Sequence, residues 1–146
     1  MEEFKTKYNF LLSNDQTVRF KDRFVNLIEC VEIFRIILFQ KRPYKNSDHV
    51  KDCMIKDLVL ELNSLCSHIE HLFNDVFGFK KLELSDPDIS KILEIRFNSL
   101  RNIFIHILEI HRFEIEILFD KDFFNYLFGQ NVSLAKKNKS ENSFYI

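Results

Sequence analysis

Residues Asp86–Ile110, DPDISKILEIRFNSLRNIFIHILEI, decide how this chain folds. Leu93, Phe97, Leu100, Phe104 and Ile107 recur at alternating intervals of four and three, the period of one buried helix face. Ahead of them Asp86-Pro87 is an N-cap followed by proline at the first helical position, a strong start signal. On the helix so defined, Asn102 and His106 fall roughly opposite the apolar stripe, and Arg101 falls on its flank.

The same period extends outward in both directions. Phe4, Tyr8, Leu11 and Leu12 predict a short amphipathic helix over Glu2–Leu12, broken by Ser13-Asn14-Asp15, one of which caps the second helix. Phe20, Phe24, Leu27, Ile28, Val31, Phe34, Ile37 and Leu38 predict that second helix, a long one from Thr17 to about Gln40. Lys41-Arg42-Pro43 stops it, because proline cannot continue the hydrogen-bond ladder. Ser47 or Asp48 caps the next helix, whose stripe from Ile55 to Val76 carries it to about Phe77, with Gly78 as its C-terminal cap. After the central helix, Phe113–Leu118 (FEIEIL) alternates like a strand. A lone strand has no partner here, so the segment reads as helix, with a break near His111-Arg112 and a last helix to about Phe128, ended by Gly129. The expected fold is all-α: an antiparallel bundle of four main helices plus a short N-terminal one, in a single domain over residues 1–129. Residues 130–146 are polar and basic and are expected to form a flexible tail.

At 146 residues the chain is long enough to bury a core without disulfides. Hydrophobic residues at 46% and charged residues at 29% describe a globular protein, and a net charge of −1 provides no global field for nucleic acid or acidic membranes. Any RNA contact must therefore use a local basic patch. Seventeen Phe and no Trp predict a core of Phe, Ile and Leu. The abundance of Ile, Phe, Asn and Lys is the residue usage of an AT-rich genome. Cys30, Cys53 and Cys66 are odd in number and far apart, which argues against a disulfide framework and for a reducing cytoplasmic compartment. No secretory leader and no membrane-spanning apolar run are expected.

Chemistry-bearing residues are few. In Arg101-Asn102-Ile103-Phe104-Ile105-His106, an imidazole suits proton transfer near neutral pH. A guanidinium suits a phosphate because its planar fork offers paired donors and stays charged. Asn102, four residues before His106, can orient the imidazole or bind phosphate. Arg101 and His106 diverge by about 140° around the axis, so one helix does not clamp a phosphate alone, whereas a two-fold dimer brings two of each into one cleft. The same residue types also suit a solvated helix face. Cys66, His68 and His71 do not converge as metal ligands, because Cys66 lies on the apolar stripe and the histidines point elsewhere. Glu94, Glu109, Glu114 and Glu116 have no evident pairing and read as a solvated face. Phe123, Phe124, Tyr126, Leu127 and Phe128 read as core or dimer contacts, and Lys136, Lys137 and Lys139 as a solubilising tail. There is no glycine-rich phosphate loop.

The R-N-I-F-I-H segment, near the end of a helix that comes after two long antiparallel ones, resembles the HEPN family (higher eukaryotes and prokaryotes nucleotide-binding domains). Many members are metal-independent endoribonucleases of toxin–antitoxin and defence systems that carry such an Arg-polar-…-His motif. The resemblance implies a homodimer acting on RNA, with Arg101, Asn102 and His106 as catalytic residues, no metal or other cofactor, and an antitoxin as partner. The tyrosine that many toxin members carry two positions after the histidine is Leu108 here, a departure from that subclass. A second resemblance joins Arg96–Ile103, Leu65–His71 and Gly78–Lys81 to the poxvirus Bcl-2-like proteins. These are non-enzymatic helical immune modulators, which implies a groove or helix face that binds a host signalling or apoptosis protein. The stretch between Gln40 and Leu58 is short for that family's middle helices.

Overall fold

The computed structural model describes residues 1–13, 15–41, 49–78 and 87–129. They are all-α, and there is no strand among the described residues. In chain order the helices are α1 (Glu2–Ser13), α2 (Phe20–Gln40), α3 (His49–Phe73) with a π-helical turn over Asn74–Gly78, α4 (Pro87–Ile110), α5 (Arg112–Leu118) and α6 (121–129). No described helix is long and apolar enough to cross a membrane. The chain forms two compact units, Met1–Ile107 and Leu108–Ile146.

In the first unit the stripes read from the sequence supply most of the core, although Leu12, Phe20, Ile28, Leu72, Phe73 and Leu100 are only half-buried. Phe4, Tyr8, Phe34 and Phe104, from α1, α2 and α4, are each completely buried. They close a ring of aromatic contacts: Phe4 to Tyr8 at 5.4 Å, Phe4 to Phe34 at 5.5 Å, Tyr8 to Phe104 at 6.2 Å and Phe34 to Phe104 at 6.3 Å. Each such pair adds about 0.5–1.5 kcal/mol beyond the area it buries. These contacts also fix direction. Phe4 against Phe34, with the Asn26 side-chain amide donating to the Lys7 carbonyl, sets α1 antiparallel to α2. Phe24 meets Phe77 just beyond α3, while Phe39 shares a hollow with Ile55 and Val59, so α3 runs back along α2. Phe24 meets Phe97 and Phe34 meets Phe104, so α4 runs parallel to α2. Sequence neighbours thus alternate in direction, as expected.

Helix ends of the first unit depart from expectation in two places. Helix α2 begins at Phe20, not Thr17, because the Asp15 carboxylate accepts from both the Thr17 N–H (2.9 Å) and the Thr17 hydroxyl (2.6 Å) and holds a turn there. The N-cap is Arg19, with extended backbone and no side-chain cap bond, so neither Ser13 nor Asp15 caps α2, and Asn14 lies outside the described residues. Helix α3 does not end on a Gly78 cap. It widens into the π turn that contains Gly78, with Val76 buried and the Phe77 ring tilted against Phe73 at 5.1 Å and edge-on to Phe24. The proposed caps Ser47, Asp48 and Asp86 lie outside the described residues, as does the tail.

In the second unit FEIEIL is helical, with Ile115 and Leu118 buried. The expected last helix is two pieces. Phe119 takes extended backbone, and the Asp120 carboxylate accepts the Phe123 N–H at 2.8 Å, capping α6. Phe123, Leu127 and Phe128 are buried, and the Arg112 guanidinium lies over the Phe124 and Phe128 rings at 5.6 Å and 5.1 Å. These aromatics are core.

Candidate functional site on helix α4

Helix α4 buries Leu93, Phe97, Phe104 and Ile107 and leaves the residues between them to other tasks. Among these, Glu94, Asn98, Asn102 and His106 form a polar row at strict four-residue spacing. Because four residues overshoot a full turn by about 40°, the row winds around the helix. Glu94 and Asn98 are half-buried, and Asn102 and His106 are exposed.

The inner end of the row is anchored on α2. Arg23 is 2% exposed, a charged residue within the apolar stripe. Its guanidinium lies over the Phe97 ring at 4.5 Å and the Phe20 ring at 5.1 Å, two cation–π contacts. Both of its terminal nitrogens donate to Glu94, Nη1 to Oε2 at 2.8 Å and Nη2 to Oε1 at 3.3 Å. The Asn98 amide adds a third donor to Oε1, at 3.5 Å. The Arg23 hydrogen bonds hold the Glu94 carboxyl below its ordinary range, against an opposing push from burial. Glu94 is therefore not part of a solvated face, as its sequence context suggested. It is one half of a fork-to-fork ion pair that joins α2 to α4. Of the other glutamates in that reading, Glu114 is half-buried with His111 Nδ1 at 3.9 Å, and Glu116 is exposed.

Arg101 stands two turns beyond Glu94 on nearly the same side of α4. It is half-buried, and its Nε is buried without a hydrogen-bond partner. Burial pushes its guanidinium below the ordinary arginine value, and the charge of Arg23 pushes the same way while Glu94 opposes. A guanidinium starts so high that the group stays charged. Arg101 is thus a cation beside a carboxylate that another arginine has already taken.

The outer end of the row opens into a shallow hollow of about 700 Å³ lined by Ile95, Asn98, Ser99, Asn102, Ile103 and His106. Two of its lining residues are exposed and apolar, Ile95 at 60% and Ile103 at 44%, and Ile92, a turn before Ile95, is 55% exposed. The structure therefore brings Asn102 and His106 together in one hollow and leaves Arg101 outside its lining.

The other sequence candidates separate as expected. Cys66 is buried while His68 and His71 are exposed, and no cluster of metal-binding side chains occurs among the described residues. Cys66 lies beside Arg35, and burial, the largest influence, pushes its thiol up. Arg23 went unnoticed in the sequence although it carried a signal. With Phe20, Phe24 and Leu27 it occupies the buried face of α2, where a charge requires a partner.

No protein-family model, curated protein or solved structure matches the chain.

Proposed function

We propose that the chain is a metal-independent, HEPN-like endoribonuclease of the toxin or defence type that acts in the cytoplasm as a homodimer. The observation that carries this reading is the α4 face, where Asn102 and His106 share an open hollow rimmed by exposed isoleucines. Apolar residues around a polar centre suit a two-fold contact that closes over a substrate. In such a dimer two imidazoles and two Arg101 guanidiniums border one cleft.

The chemistry needs few parts. One His106 takes the proton of a ribose 2′-hydroxyl, and the freed oxygen attacks the adjacent phosphorus. Arg101, which has no hydrogen bond from its buried Nε, stabilises the extra charge on the phosphorane oxygens. The P–O5′ bond breaks as His106 of the partner subunit protonates the leaving oxygen, leaving a 2′,3′-cyclic phosphate and a 5′-hydroxyl. Asn102, one turn before His106, donates to the phosphate or holds the ring. The test is cleavage of single-stranded RNA in the presence of a chelator. Cleavage is expected from the native chain and is expected to fall by about 10²–10⁴-fold in His106→Ala. Undiminished cleavage by that variant rejects the assignment.

A second reading, a non-enzymatic Bcl-2-like protein that binds a host signalling or apoptosis protein, draws on a different place. Phe39, Ile55, Lys56, Val59 and Leu60 line an apolar hollow of about 280 Å³, with Phe39 and Leu60 strongly exposed. An amphipathic helix suits such a surface. This reading expects no RNA cleavage, and binding of a helical peptide that Leu60→Glu abolishes.

A further inference from the structure

We infer that Arg23 is a positioning residue for Arg101: by occupying both oxygens of Glu94 it keeps that carboxylate from neutralising the cation meant for phosphate. The inference rests on the ribonuclease reading and adds to it a residue on a different helix.

Three observations carry it. Glu94 and Arg101 lie seven positions apart on α4, hence nearly in line along the helix. Helical side chains lean toward the N-terminus, the direction in which Glu94 lies from Arg101, and the two charges act on each other. Glu94 is thus a carboxylate whose charge acts on Arg101. Yet Arg101 makes no ion pair with it, because Oε2 is held by Arg23 at 2.8 Å and Oε1 by Arg23 at 3.3 Å and Asn98 at 3.5 Å. Finally, Arg23 is fixed from both sides by Phe20 and Phe97, so its claim on Glu94 does not depend on a flexible side chain.

Glu94 thus already carries Arg23, and Arg101, the cation nearer the exposed end of the row, is left without a bond to that carboxylate. Remove Arg23 and Glu94 is released. The Glu94 charge then acts on Arg101 without Arg23 to offset it, and a phosphate must compete with it.

The experiment is a double-mutant cycle on the full chain, with RNA cleavage and a melting curve recorded for each protein. Arg23→Met keeps the apolar stem between Phe20 and Phe97, leaves Glu94 partly solvated, and is expected to fold. Its kcat/KM is expected to fall about tenfold, the size of one charge-assisted hydrogen bond diverted from substrate. Glu94→Gln added to Arg23→Met removes the competing anion, and most of the lost activity is expected to return. A merely structural role predicts otherwise: a folded Arg23→Met that cleaves as well as the native chain, or a loss that Glu94→Gln leaves in place. Either result overturns the inference while leaving the ribonuclease reading intact. If Arg23→Met does not fold, Arg23→Lys takes its place. One ammonium does not span both carboxylate oxygens, so a smaller loss is expected, again reversed by Glu94→Gln, and full activity in Arg23→Lys overturns the inference. Absence of cleavage by the native chain rejects the ribonuclease reading and this inference with it.

Discussion

Phe104 and His106 stand two positions apart on α4 and on opposite sides of it. Phe104 has no exposed surface and meets Tyr8 and Phe34, whereas His106 opens into the solvent-facing hollow with Asn102. Fold and candidate chemistry are thus interleaved on one helix but separated around its axis.

That separation gives a first prediction. Phe104→Ala removes one corner of the aromatic ring and is expected to lower stability by about 3–5 kcal/mol. His106→Ala, on the open face, is expected to change it by no more than about 0.5 kcal/mol. Chemical denaturation of both variants checks this. A large loss in His106→Ala would make the imidazole a structural group.

A second prediction concerns acid. The folded Glu94 carboxyl lies below its ordinary value, about 4.3 for a free glutamate, mainly because Arg23 bonds to it. A depressed carboxyl contributes stability that is present above the ordinary value and is lost as pH falls through the folded one. Glu94→Gln removes the carboxylate that both terminal nitrogens of the buried Arg23 bond to and is expected to destabilise by about 2–4 kcal/mol at neutral pH. The lower end is favoured because Glu94 keeps 25% of its side chain exposed. The gap between native chain and variant is expected to narrow below the ordinary glutamate range, as the native carboxylate takes up its proton. Denaturation midpoints across the acid range decide it, and a gap that stays constant with pH removes the ionised pair from the account.

The dimer invites a third. If the isoleucine rim is the two-fold contact, a charge at Ile103 faces its own symmetry mate or a neighbouring apolar residue. Ile103→Glu is expected to shift the sedimentation coefficient from dimer to monomer without lowering the melting temperature appreciably. A native chain that sediments as a monomer at all concentrations removes the composite cleft.

Thiol reactivity offers a fourth. Cys53 is exposed and Cys30 and Cys66 are buried, and burial raises both buried thiols above their ordinary value. Since the thiolate is the reactive form, a thiol reagent is expected to modify Cys53 fast and the other two only on unfolding. Rapid modification of all three would mean that the α2–α3 packing opens readily.

How much of this was legible in the sequence depends on distance along the chain. The stripes of α2, α3 and α4 were readable because apolar periodicity is local, and the predicted core residues Phe24, Phe34, Leu62 and Phe97 are buried. The helicity of FEIEIL was also readable, against its alternating pattern. The start of α2 was missed because a side chain, Asp15, competes with the backbone there. The break before α6 did carry a signal, Asp120 placed to cap the N–H of Phe123, which apolar periodicity alone passes over. Arg23 was detectable as a charge on a buried face, but its partner was not. Glu94 lies 71 positions away, and no local pattern pairs residues so far apart. For the same reason the Arg101, Asn102 and His106 motif was visible while the setting of Arg101 was not.

The winding polar row has a last consequence, for how α4 can vary. A one-residue insertion between Asn98 and Asn102 would swing everything downstream by about 100°. That would carry His106 off its hollow and turn Phe104 out of the aromatic ring in the same step. Length polymorphism is therefore barred from this segment even where side-chain identity is free to drift, and any related chain that keeps the row should place its gaps in the connections before Pro87 or after Ile110.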